Sequence, residues 1–204
     1  FADLRADTDV FTTFEGANPV LYQLVAKGLL TRYRDEMGDL SLRGALRYLG
    51  ERAETSVTEL NPLQTRRTDP EHLRDADFHR AALRYREERM LRSAARRMRS
   101  RLRDGMDSFD AVNEVQSHLV ALARAHVERV IAETFAEAVA DAPAGRLRDV
   151  LEQVRALNAL SRIEADRGWY LESGYIEGSK SRAIRSEVET LCRDVAQHSE
   201  LLTA

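Results

Sequence analysis

The chain has a single cysteine, Cys192. That excludes an intrachain disulfide and a cysteine-based zinc cluster, and it suits a reducing compartment. Proline is nearly as scarce, with four residues, and only 6% of the chain is aromatic. So few turn formers and so few aromatic residues favour helices over sheets. No apolar run approaches the roughly 18 residues that a bilayer crossing needs. No G-x-G-x-x-G, Walker loop or Ser-His-Asp pattern is present. The net charge of -3 gives no general attraction to nucleic acid or to an anionic membrane, so neither is expected as a partner. Nothing reads as a signal peptide. The chain begins with Phe1 rather than Met, and its last residues, Leu201 to Ala204, carry no helix stop signal. Both ends read as those of a fragment.

What is present is a globular composition, 43% hydrophobic and 32% charged. Residues 1–17 read as extended or irregular, with turn formers at Asp7, Thr8 and Asp9. Apolar spacing of three and four then recurs along the rest of the chain. It predicts a first helix over 19–36, with Val20, Leu21, Leu24, Val25, Gly28 and Leu29 on one face and close packing at Gly28. A second helix is expected at 40–55 on Leu42, Leu46 and Leu49. Asn61-Pro62 and Thr68-Asp69-Pro70 break the pattern. A long helix follows from Pro70 to Asp104, stopped by Gly105. Another runs from Asp107 to Asp141, with Val112, Val115, Leu119, Leu122, Val130 and Phe135 buried. A helix over 146–166 has Leu147, Val150, Leu151, Val154, Leu157 and Leu160 as its stripe. An aromatic turn region at 167–178 precedes a last helix from 179 to the end. Long helices and short turns predict an all-α fold, a bundle of long antiparallel helices in one domain over 1–204. Residues 1–17 form its leading loop.

The stretch with chemical content is Thr12-Thr13-Phe14-Glu15-Gly16-Ala17-Asn18-Pro19. Asn is a favoured N-cap and Pro suits the first turn, so a helix starts here and Glu15 stands on the loop before it. A carboxylate at that position is also what the helix dipole favours, without any catalytic role. Thr13-Phe14-Glu15-Gly16-Ala17-Asn18-Pro19-Val20-Leu21 resembles the T-F-E-G-[DE]-N-x-V segment of the flavin-dependent acyl-CoA oxidases. It is similar, more loosely, to the Y-E-G segment of the acyl-CoA dehydrogenases. The all-helical remainder resembles the C-terminal region of the oxidases. Ala17 stands where that family usually has an acidic residue, and Pro19 where it often has Thr.

The resemblance implies a fragment of an FAD-dependent enzyme that dehydrogenates a fatty acyl-CoA between its α and β carbons, in fatty acid β-oxidation. Glu15 is then the catalytic base that takes the α-proton as a hydride leaves the β-carbon for the flavin. The backbone N–H of Glu15 helps polarise the thioester carbonyl, an oxyanion-type contact. Gly16 and Asn18 are candidate cofactor contacts; Asn18 as a simple N-cap is an equal alternative. The family further implies oxygen or an electron-transfer flavoprotein as electron acceptor, and a homodimeric or homotetrameric parent. The location is cytoplasmic, or peroxisomal in a eukaryote. The fragment alone is expected to be inactive, because most flavin contacts would lie upstream.

Other residues read as structural. His118 and His126 are eight apart on one stripe, whereas a helical metal pair needs about four, so no metal site is expected. They read as satisfied histidines at a helix interface. The nine arginines between Arg84 and Arg103 wrap around the helix and read as a solvated face with carboxylate partners elsewhere. The rival function is a non-enzymatic helical interaction module that docks through this Arg-rich helix. Trp169, Tyr170 and Tyr175 read as aromatic packing, and Cys192 as inert core between Val188 and Val195.

Overall fold

The structure is a computed structural model that describes residues 18–38 and 65–203. Among these residues there is helix and no strand, as the apolar spacing predicts. The helices are α1 (Asn18–Gly38), α2 (Pro70–Arg74), α3 (Ala76–Arg103), α4 (Ser108–Asp141), α5 (Arg146–Ala165), α6 (Arg167–Glu172), α7 (Gly178–Ala196) and α8 (Ser199–Thr203). The helix expected at 40–55 and the loop 1–17 lie outside the described residues.

The chain forms two compact units. One contains α1 and residues 87–127, the later part of α3 and the earlier part of α4. Here α3 and α4 run antiparallel: Arg101 bonds Glu114, Ser93 bonds His118 and Glu87 bonds His126, one rising as the other falls. Ala26 and Leu29 of α1, Ala94 of α3 and Val115, Leu119, Leu122 and Ala123 of α4 make its core. Gly105, at φ 86°, turns the hairpin. The Met106 N–H bonds the Arg101 carbonyl and the Gly105 N–H that of Leu102, the Schellman arrangement that closes a helix end.

The other unit contains residues 65–86 and 128–203. Its core joins Leu73, Phe78, Leu83 and Tyr85 to Leu160, Ile163, Tyr170, Tyr175, Ile176, Ile184 and Leu191. The helix α5 packs on α7, and α2 packs on both. Tyr170 is wholly buried and donates its hydroxyl to the Ala82 carbonyl at 3.0 Å. Each fully buried side chain of this size contributes about 1.5–3 kcal/mol of apolar burial.

Several sequence expectations need correction. The long helix from Pro70 is interrupted at Asp75, which is extended (φ -66°, ψ 129°). Its carboxylate accepts the Asp77 N–H at 3.0 Å and so caps the restarted helix. The region 167–178 holds the short helix α6, and the last helix breaks at Gln197 and His198. The buried face of α1 is rotated from the expected one: Val20 and Leu24 are 55% and 63% exposed. A Cβ on Gly28 would meet nothing within 4 Å, so no close packing requires that glycine. Val112, Val130 and Leu147 are likewise exposed. Cys192 is exposed, not core, because the buried stripe of α7 runs through Lys180, Ser181, Ile184, Glu187 and Leu191 instead.

Candidate functional site

Glu15 and Gly16 lie outside the described residues. Asn18 opens α1 and is exposed. The first amides of a helix have no partner within it and are satisfied by a cap, by water or by a ligand. Two residues, Gly16 and Ala17, separate Glu15 from Asn18, so the three chain steps between them span at most roughly 11 Å. The sequence thus ties the candidate base to the N-terminal end of α1.

Beside that end the same unit forms an open groove of about 500 Å3. Val20, Leu24, Lys27 and Arg34 of α1 and Val112 and Leu119 of α4 are among its lining residues. The lining contains two cations, several amides and no carboxylate. The sequence reading missed this groove because it assigned Val20, Leu24 and Val112 to buried faces. Spacing identifies an apolar stripe but not whether a neighbour covers it.

Among the described residues no group of three or more His, Cys, Asp or Glu side chains could hold an ion. His118 reaches Ser93 Oγ at 3.2 Å, and His126 Nδ1 reaches Glu87 at 2.9 Å. Both match the expected role of satisfied interface histidines. Burial lowers the His118 pKa, with the Arg97 charge adding to the effect.

Two further histidines, His72 and His79, went unread in the sequence and complete the break at Asp75. The interruption leaves carbonyls of the preceding turn without helical donors. His79 Nε2 donates to the Leu73 carbonyl at 2.7 Å, and Arg155 Nη2 donates to that of Arg74 at 2.8 Å. With Nε2 protonated, His79 Nδ1 is left as the acceptor for Arg155 Nη1 at 3.1 Å. His72 Nε2 likewise accepts from Lys180 Nζ at 2.9 Å, and that ammonium lies 4.0 Å from the Phe78 ring centroid. Burial, reinforced by Lys180 for His72 and by Arg155 for His79, holds both imidazoles down at about 4. Burial and the charge of Arg67 bring Lys180 down to about 8. Each ring is therefore a neutral acceptor for a cation at pH 7. These contacts join segments about 76 to 108 residues apart and serve the fold.

Arg86 is 1% exposed. Its two terminal nitrogens bond Asp166 and Glu128, and Arg162 approaches Glu128 at 3.8 Å. The expectation of a solvated arginine face with distant carboxylate partners holds for Arg101, which bonds Glu114. For Arg86 the partners are distant but the guanidinium is buried. No helix among the described residues is long and apolar enough to cross a membrane.

A family model described as acyl-CoA oxidase matches residues 75–199. The peroxisomal acyl-coenzyme A oxidase 2 of Arabidopsis thaliana is 38% identical over 191 residues, covering 94% of this chain and 28% of that protein. Acyl-CoA oxidase 3 from Yarrowia lipolytica superposes with a TM-score of 0.75 at 21% identity, over 93% of this chain and 26% of that one. Acyl-CoA oxidase-1 of Caenorhabditis elegans, solved in complex with FAD and ATP, gives 0.71 at 17% identity, over 93% and 27%. The chain thus spans under a third of the length of these proteins. With its helical fold, the matched model over more than half its length and the Glu15 segment ahead of α1, the chain belongs to the acyl-CoA oxidase family.

Proposed function

We propose that this chain is part of an FAD-dependent acyl-CoA oxidase that converts a fatty acyl-CoA to the trans-2-enoyl-CoA, with Glu15 as the base. The observation that carries the reading is the Thr13–Leu21 segment, in which Glu15 stands three positions before the first residue of α1 in a chain of this family. The α-proton of a thioester is weakly acidic, so two things are required of this chain. The Glu15 carboxylate must accept the proton, which requires it to be unprotonated in a site that excludes water. The Glu15 backbone N–H must hold the developing negative charge on the thioester oxygen. Bound FAD supplies the hydride acceptor for the β-carbon. Of the candidate cofactor contacts only Asn18 lies among the described residues. Its exposure at the start of α1 fits a contact with a group held outside this chain. Gly16 leaves the backbone room for a close approach. Oxygen is the proposed electron acceptor, in an oligomeric parent, peroxisomal where that parent is eukaryotic.

The test is Glu15→Gln in the full-length parent. Gln is nearly isosteric and keeps the backbone N–H, so the fold, FAD content and acyl-CoA binding should persist. Flavin reduction should fall at least about a thousandfold, since loss of a general base costs roughly 10²–10⁴. Glu15→Asp should keep part of the activity, with its carboxylate one methylene short of the proton. Flavin reduction by Glu15→Gln at the parental rate would remove Glu15 from the mechanism. A docking module without enzymatic activity would instead give a colourless, well-folded parent.

A further inference from the structure

The segment ahead of α3 is held mainly by polar bonds. Of residues 65–75 only Leu73 is a buried apolar side chain. Thr65 and His72 are buried but polar, and the others are exposed or half-buried. The bonds that hold the segment converge on one stripe of α7 and its N-cap. Glu177 pairs with Arg66 at 2.8 Å and donates its N–H to the Thr65 carbonyl. Lys180 donates to His72, and Glu187 and Asp194 take Arg74 at 2.5 and 3.5 Å. At its other end the segment stops at Asp75, which is extended and belongs to neither α2 nor α3. Partly exposed ion pairs contribute little each. A segment with one apolar anchor and a break in the helix beside it stands at the low end of local stability.

We propose that residues 65–75 are a strap, hinged at Asp75 and clipped to α7, which acid releases as a unit while α5 and α7 stay packed. The trigger is His72. Its Nε2 accepts from the Lys180 ammonium, so a proton on that nitrogen removes the acceptor and sets two cations face to face. The charged groups that face His72 are Lys180 of α7 and Arg67, against Asp69 and Asp75 of the strap itself. Burial, then Lys180 and Arg67, outweigh the two carboxylates and hold the ring neutral down to about 4. His79 of α3 is the remaining titratable neighbour. It faces Arg155 of α5 with Asp75 opposing, and it resists protonation for the same reason. In the open strap His72 regains its ordinary value of 6.5. A lowered closed-state value favours the closed form above pH 6.5, and the preference fades as pH falls toward 4. That linkage makes opening about twentyfold more favourable at pH 5 than at pH 7. Release uncovers Leu73 and the face of Phe78 on which His72 packs, their ring centroids 4.6 Å apart.

Hydrogen exchange of the full-length parent, read by mass spectrometry and divided by the intrinsic rate at each pH, tests the proposal. Amides of residues 71–75 should exchange at least about tenfold faster at pH 5 than at pH 7. Those of α5 and α7 should keep their protection. His72→Gln still offers Lys180 an acceptor but does not titrate, so it should remove the acid gain. Arg74→Ala frees Glu187 and Asp194; it should speed exchange of the segment at both pH values and leave the acid gain in place. Exchange of residues 71–75 at the rate of α5 and α7, or an equal acid gain in all three, overturns the strap, because the unit then opens only as a whole. An acid gain that survives His72→Gln overturns His72 as the trigger.

Discussion

His79 and Arg86 show how far a residue's role depends on partners distant in sequence. His79 titrates at about 4 in the fold against an ordinary value near 6.5. A lowered folded value means that the unfolded chain binds the extra proton. The contribution is therefore full above pH 6.5 and is lost as pH falls toward 4. For the 2%-exposed ring this amounts to about 3 kcal/mol at pH 4. The protonated ring would face Arg155, and His72 would face Lys180 and Arg67, with Asp69 and Asp75 as the opposing carboxylates. Denaturant unfolding of the unit holding α5 and α7 should thus weaken steeply between pH 6.5 and 4. His79→Gln, which can still donate to the Leu73 carbonyl but does not titrate, should flatten the profile; an unchanged slope would refute the assignment. Arg86→Ala leaves Glu128 buried without its main partner and should cost about 3–5 kcal/mol. Arg86→Lys should recover only part of this, since an ammonium lacks the fork that spans two carboxylates. Nothing in the Arg84–Arg103 run distinguishes Arg86 by local pattern. Its carboxylates lie 42 and 80 residues away.

Helix ends were the more legible feature at the level of elements. Gly105 reads as a stop in the sequence, and the structure gives it φ 86°, where a Cβ is strained. Gly105→Ala should destabilise the hairpin by about 1 kcal/mol. Gly28, by contrast, lies inside α1 with open space at its Cβ position. Gly28→Ala should stabilise the chain by up to about 1 kcal/mol, through helix propensity alone. Thermal melts of the two variants, moving in opposite directions, check both. The break at Asp75 was hidden because the apolar spacing continues through it. What decides it is the set of side chains, His79 and Arg155, that take up the carbonyls of Leu73 and Arg74. The exposed side of α1 was hidden for a related reason. Val20 and Leu24 fit a buried stripe as well as Ala26 and Leu29 do, and the positions of α3 and α4 select between them.

The parent should be yellow, should bleach on mixing with a fatty acyl-CoA, and should regain its colour in air within seconds if oxygen is its acceptor. Slow reoxidation in stopped-flow absorbance would point to a protein acceptor instead. The sequence by itself determined the helical class, the positions of most turns and the family, because these depend on local signals: period, cap residues, glycine stops and a nine-residue segment. It also singled out Glu15, through that segment and not through any spacing of charges. Tertiary structure alone decided which arginine is buried, that His72 and His79 are neutral acceptors, and that Val20, Leu24 and Val112 face a groove. Those outcomes depend on which distant side chain arrives opposite. A one-dimensional pattern specifies that a face is apolar or charged, but the element that packs against it is fixed only when the chain folds.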